Sequence, residues 1–301
     1  MKAYTSNNIR NIAVLGHGGK GKTTLCEAML YIAGASDRLG RVADGNTVLD
    51  FDSEEKRRKS SVSSAIAALE WDNTKLNIID APGLFDFEGG AAEAVRAAEA
   101  VLIVTSAGSG VDVGTEKAFR AAEKKGAAKF FAITKTDSDH RNFYKTFDAL
   151  KEVYGNKLCP TIIPYMEGNI TKCYVNLMTG MAFSYDENGK ATKVPVPEDS
   201  VIEEMTSAFM EAVATTDDAL MEKFFEGEKF TKEEILKGLC IGIFDGSIYP
   251  VYAVSGLTCA GVDQLLYGLA WSAPGAFGYA GEKCTYENGE EGILPLSLIH
   301  I

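Results

Sequence analysis

The 301 residues suffice for one large α/β domain or two modest ones, and 46% apolar with 24% charged residues excludes disordered, collagenous and low-complexity classes. Thirty basic residues against 42 acidic leave a formal charge of −12. That balance argues against tight, sequence-blind nucleic-acid binding, because neutralising phosphates needs a basic face.

The first half alternates short apolar runs with alanine-rich helical stretches. Strands are predicted at Asn11–Leu15, Ala65–Glu70, Leu76–Ile79, Val101–Thr105 and Phe130–Thr134, and their continuous apolarity suits a parallel sheet buried on both faces. Helices are predicted at Thr23–Ile32, Ala91–Ala100 and Thr115–Lys125. From about Gly155 the pattern changes to strands at Thr171–Leu177, Met181–Tyr185 and Ala191–Val194, with a tight turn at Glu187-Asn188-Gly189-Lys190. Helical spacing of Val201, Ile202, Met205, Phe209 and Val213 follows, then a second amphipathic stretch through Leu220–Phe225. A last strand, Pro250–Ser255, and a last helix, Gly261–Ala270, complete an expected doubly wound, mostly parallel α/β sheet with an α+β insertion before its final strand. The expected division is 1–154 for the first part of this domain, 155–246 for the insert, 247–275 for the last strand and helix, and 276–301 for a linker and the start of a following β domain. No run approaches the roughly 18 apolar residues of a membrane span, and the N-terminus carries no apolar stretch, so a cytoplasmic location is expected. The six cysteines lack any CxxC pair and read as reduced thiols, and His17, His140 and His300 are too scattered for a zinc site.

Gly16-His17-Gly18-Gly19-Lys20-Gly21-Lys22-Thr23 fits GxxxxGK[ST] between a predicted strand and a predicted helix, the context that a P-loop requires. Its glycines let backbone N–H groups wrap a β-phosphate at the positive end of the helix, Lys22 neutralises β/γ oxygens, and Thr23, followed by Thr24, offers a hydroxyl to Mg²⁺. Asp80-Ala81-Pro82-Gly83 ends another strand, placing a carboxylate near the same Mg²⁺ and a Gly83 amide toward a γ-phosphate. On its own, DxPG is an ordinary turn. Thr134-Lys135-Thr136-Asp137 also ends a strand: Asp137 can accept from guanine N1–H and its exocyclic amine together, while Lys135 lies along the base, which favours GTP over ATP. Ser255-Gly256-Leu257, at the end of the last strand, is placed to bring an amide to guanine O6. An ATP-using P-loop kinase would leave TKTD without a purpose.

The ordered set GHGGKGKT, DAPG, TKTD and SGL resembles the fingerprint of translational GTPases, most closely elongation factor G and its elongation factor G-like paralogues. The segment Val42-Ala43-Asp44-Gly45 through Asp50, Glu55, Arg58 and Ser61 is similar to that family's first switch, and the hairpin-and-helix insert is similar too. The resemblance implies GTP/GDP and Mg²⁺ as ligands, with Thr23, Ser61 and Asp80 around the metal and Lys22, Ser61 and Gly83 at the reacting phosphate. It also implies the large-subunit factor-binding region of the ribosome as partner of a longer, monomeric protein without membrane or sequence-specific DNA contacts. Leu84 replaces the histidine that orients the attacking water, so hydrolysis is expected to be slow, and a non-catalytic GTP-gated binding protein is the alternative. Gly19 and Thr134 replace a family aspartate and asparagine, and both changes are expected to remove side-chain contacts. The run Glu54–Lys59 reads equally as a solvated face or as switch, and His17 reads as a loop-packing residue more than a catalytic one. The closing ILPLSLIHI departs from the family pattern, so a fragment of a longer protein is expected.

Overall fold

The continuous apolar runs become central strands of a ten-stranded sheet. The computed structural model describes residues 2–138, 142–168, 170–275 and 282–294. Strand β1 (Ile9–Leu15) leads into helix α1 (Lys22–Ile32); a long segment holding the short helix α2 (Ser53–Arg58) then returns as β2 (Ala65–Trp71) and β3 (Thr74–Asp80). Next come α3 (Glu88–Ala97), β4 (Ala100–Ser106), α4 (Val113–Lys125), β5 (Ala128–Thr134) and α5 (Phe143–Tyr154). The predicted Ala91–Ala100 helix stops early because Ala98 is already extended, freeing Ala100 to start a strand. All seven residues of β4 and all seven of β5 are buried, as continuous apolarity requires between two helical layers. Phe130, Phe131, Leu102 and Ile12 are fully buried there, each contributing about 1.5–3 kcal/mol by leaving water.

The remaining strands are β6 (Leu158–Glu167), β7 (Ile170–Asn176), β8 (Met181–Tyr185), β9 (Ala191–Val194) and β10 (Tyr249–Ala253), with helices α6 (Ser200–Ala214), α7 (Asp218–Glu226) and α8 (Lys232–Asp245) before β10 and α9 (Val262–Ser272) after it. The sheet order is β2-β3-β1-β4-β5-β10-β6-β7-β8-β9. Strand β10 pairs in parallel with both β5 and β6, and β6 to β9 run on as an antiparallel meander. Strands of the 155–246 segment therefore extend the main sheet itself. Its turn follows the expected chemistry: Gly189 takes φ +74°, and Asp186 accepts from the amides of Asn188 and Lys190. Strands β11 (Glu282–Thr285) and β12 (Glu291–Leu294) form a separate antiparallel pair. His140, and residues 276–281 and 295–301 of the expected linker and following domain, lie outside the described residues.

Parallel strands β3, β1, β5 and β10 end at one edge of the sheet, so the four motifs that follow them emerge side by side.

Candidate functional site

Backbone conformation shapes the loop between β1 and α1. Gly16 adopts φ +143°, where a Cβ would run into the carbonyl of Val104, and Gly21 caps α1 at φ +91°. Lys22, buried at the first turn, turns its ammonium back across the loop to donate to the carbonyls of Gly16 at 3.1 Å and His17 at 3.2 Å. Burial pulls this ammonium below its ordinary range, and Asp80 pulls the other way. Gly83 closes the opposite side. A side chain there would overlap Lys22 Nζ and stand 2.9 Å from both the Gly16 carbonyl oxygen and the Gly18 nitrogen.

Beneath Lys22 four oxygen-bearing side chains converge. Thr23 Oγ1 donates to Asp80 Oδ2 at 2.6 Å and lies 3.1 Å from Ser61 Oγ, which donates to Asp50 Oδ1 at 2.7 Å. All four residues are buried. Desolvation pushes the Asp80 carboxyl up to about 7 despite the Thr23 bond and Lys22, and it also raises Asp50. Asp80 Oδ1 is buried without a hydrogen-bond partner. Among the described residues no group of three or more His, Cys, Asp or Glu forms a metal cluster. An orphaned carboxylate oxygen beside two hydroxyls nevertheless fits Mg²⁺, which prefers hard oxygen ligands and takes few carboxylates alongside water and substrate phosphates.

On the other side of the loop, Thr134 Oγ1 donates to the carbonyl of Lys20 at 2.6 Å, with the carbonyl of Thr105 at 3.0 Å. The expected loss of a side-chain contact at this position is therefore corrected, since the shorter hydroxyl still braces the phosphate loop. Lys135, at φ +60°, donates to the carbonyl of Gly19 at 2.7 Å, and Asp137 is exposed one turn further. Gly256 lies against the start of α1, where a Cβ would come within 3.0 Å of the Thr24 carbonyl, so Thr24 packs under the Ser255-Gly256-Leu257 turn. Ser255 N–H is engaged by the carbonyl of Ala260 at 2.9 Å, and Leu257 is exposed.

Leu84 is exposed and folds over Gly18, whose Cβ, if present, would stand 3.0 Å from Leu84 Cδ2. His17 sets its ring against Phe85 at 5.7 Å, edge to face, while Gly114 of α4 packs on its backbone. Lys20 pairs with Asp112 at 3.0 Å. The charged run does two things at once. Glu54 faces solvent and pairs with Arg57 and Arg58, whereas Glu55 is buried and accepts from the amides of Asp52, Val62 and Ser63. Sequence reasoning placed Asp50 only within the switch-like segment and assigned no role to Asp112 or Glu27. Glu27, fully buried on α1, accepts from the amides of Val48 at 2.7 Å and Leu49 at 3.0 Å; the available signal was a lone acid inside the apolar run LCEAML.

Over residues 7–274 the sequence matches the family described as "Elongation factor Tu GTP binding domain". It is 33% identical over 261 residues to the "Elongation factor G-like protein" of Mycobacterium tuberculosis strain CDC 1551 / Oshkosh, which covers 86% of this chain and 36% of that protein. The protein of the same name in strain ATCC 25618 / H37Rv matches with the same figures. A crystal structure from Thermus thermophilus superimposes with a TM-score of 0.84 at 34% identity, over 92% of this chain and 42% of that one. The chain thus spans little more than a third of the length of the curated relatives it matches.

Proposed function

Because the chain belongs to the family of elongation factor Tu GTP binding domains, we propose that it binds GTP and GDP with Mg²⁺ and hydrolyses GTP to GDP and phosphate. The convergence of Lys22, Thr23, Ser61 and Asp80 at one end of the sheet, with Asp80 Oδ1 unpartnered, carries this reading. Lys22 exchanges its two loop carbonyls for β- and γ-phosphate oxygens, and the amide of Gly83 donates to the γ-phosphate. Thr23, Ser61 and Asp80 would hold Mg²⁺, which would supply charge neutralisation at those phosphates. Gly16, His17, Gly18, Gly19, Lys20 and Gly21 wrap the phosphates with backbone amides. Asp137 reads the guanine edge and Lys135 lies along the base. Since Ser255 N–H is already engaged, the O6 contact falls to the amide of Gly256 or Leu257.

Leu84 can neither accept nor donate, so unassisted hydrolysis is slow, and a ribosomal contact completes the site for attack by water. The chain acts, on this reading, as the monomeric, cytoplasmic GTPase module of an elongation factor G-like translation factor. Competition against a fluorescent guanine nucleotide tests it: GTP and GDP displace the probe and ATP does not, whereas equal displacement by ATP overturns the guanine assignment. The Leu84–Gly18 contact favours one second reading, a GTP-gated binding protein with no turnover. Ribosome-stimulated phosphate release separates the two, because the second reading gives none.

A further inference from the structure

We propose that Glu27 is a positioning residue that clasps the 40–61 segment onto α1 and thereby presents Asp50 and Ser61 to Thr23. Thr23 and Glu27 stand four residues apart on α1 and share one helix face. The 40–61 segment meets both. Glu27 Oε1 takes the amides of Val48 and Leu49, the Leu49 side chain is buried in the core, and the next residue, Asp50, holds the Ser61 hydroxyl that lies on Thr23. Gly40 completes the clasp: a Cβ there would overlap Glu27 Oε2 and stand 2.9 Å from Thr47 Cα, so the chain passes this close only as glycine.

A fully buried acid with one oxygen unpartnered among the described residues is an expensive way to hold a loop. An apolar residue at the same helix position would fill the space at lower cost. What it would not supply is an acceptor that fixes the register of two consecutive amides, and a slip of one residue there carries Asp50 away from Ser61. Charge alone is not the feature used, since Gln retains the acceptor. The inference rests on the nucleotide reading of Thr23 and Ser61, but its first test does not.

The segment carries its own reporters, the exposed trypsin sites Arg41, Lys56, Arg57, Arg58 and Lys59. The full chain and its Glu27→Ala, Glu27→Gln, Gly40→Ala and Glu27→Ala/Gly40→Ala variants are digested without nucleotide, with cleavage sites assigned by mass spectrometry. The Mg²⁺ concentration for half-maximal binding of a non-hydrolysable GTP analogue is measured in parallel. Glu27→Ala is expected to speed cleavage at these sites about tenfold or more and to raise the Mg²⁺ requirement by a similar factor, the scale of two lost hydrogen bonds. Glu27→Gln stays near wild type. Gly40→Ala reproduces Glu27→Ala, and the double variant adds little to either, as coupled residues do. Unchanged cleavage at these sites in Glu27→Ala overturns the proposal, as does acceleration spread evenly over the whole chain, which marks a core role only. Equal damage from Glu27→Gln overturns the acceptor account. If wild type itself takes up no GTP analogue, the nucleotide reading fails, and cleavage still decides the clasp.

Discussion

The Thr23 hydroxyl donates to Asp80 at 2.6 Å, so two side chains that bracket the prospective cation are joined to each other inside the protein. Asp80 keeps one buried oxygen without a partner, and an unpaired buried charge weakens the fold. Function and stability therefore pull apart at this residue. Asp80→Asn is expected to melt no lower than wild type in nucleotide-free buffer at pH 8, while Mg²⁺-dependent tightening of GTP falls about tenfold or more. Differential scanning fluorimetry and nucleotide titration with and without Mg²⁺ check both halves; a variant that melts lower and still binds with full Mg²⁺ dependence contradicts them.

On the proposed reading, Asp137 accepts from both guanine donors. Inosine nucleotides lack the exocyclic amine. Wild type is expected to prefer GTP to ITP by about tenfold or more, and Asp137→Ala is expected to bind both weakly and alike, since each lost charge-assisted bond costs about 1.5–3 kcal/mol. Competition titrations with the two nucleotides give the ratio directly, and a preference that survives the substitution would reassign base recognition.

Leu84 lies over Gly18, in the loop between β1 and α1 that is proposed to cradle the phosphates. Replacing it by histidine restores a ring that can hold a water while keeping similar bulk. Single-turnover hydrolysis by Leu84→His is expected to rise about tenfold or more above wild type, toward the range that positioned proton-transfer groups supply. No increase, with GTP affinity unchanged, would place the barrier elsewhere than at the missing side chain.

Most of the sheet and the phosphate loop were legible in the sequence because strand, glycine loop and helix follow each other without interruption from Ile9 to Ile32. Strand β6 was not. Pro160 and Pro164 argue against an interior strand, yet β6 sits between β10 and β7, with a register shift in its pairing where Val251 faces Pro160 and Tyr252 faces Ile162. Helix α5 was missed as well, although Phe143, Thr146, Phe147 and Leu150 bury one face and Asn142 caps its first turn. In the site, Lys22, Thr23 and Asp80 belong to motifs with fixed spacing. Glu27 and Asp50 do not. Their roles come from a segment folded back over α1, and residue order alone does not disclose which amides an isolated acid will meet.

Glu27 also makes stability depend on pH in a defined direction. Burial raises its carboxyl above 4.5, opposed by the amides of Leu49 and Val48, with Asp50 adding to the rise and Arg38 subtracting from it. A carboxyl raised in the folded state binds its proton more tightly than in the unfolded chain, so its contribution is full below about 4.5 and is lost as pH rises through the raised value. The melting temperature of wild type relative to Glu27→Gln is therefore expected to climb as pH falls from 7.5 toward 4.5 and to level off at the lower end. Paired melts across that range read the difference, which cancels titration common to both proteins; a flat or opposite trend would contradict it.

Strand β10 lies between β5 and β6, yet the ribosome makes it after both and after three further helices. Vectorial synthesis thus delivers the β1–α1 loop and Asp80 early, with β5 left as an open apolar edge able to pair with another chain. The turn Ser255-Gly256-Leu257 arrives only when β10 slides in and zips both flanks at once. On the proposed reading, competence to distinguish guanine is consequently a late checkpoint in the biogenesis of the protein, and the edge that invites misassembly is sealed by the same event that brings in this turn.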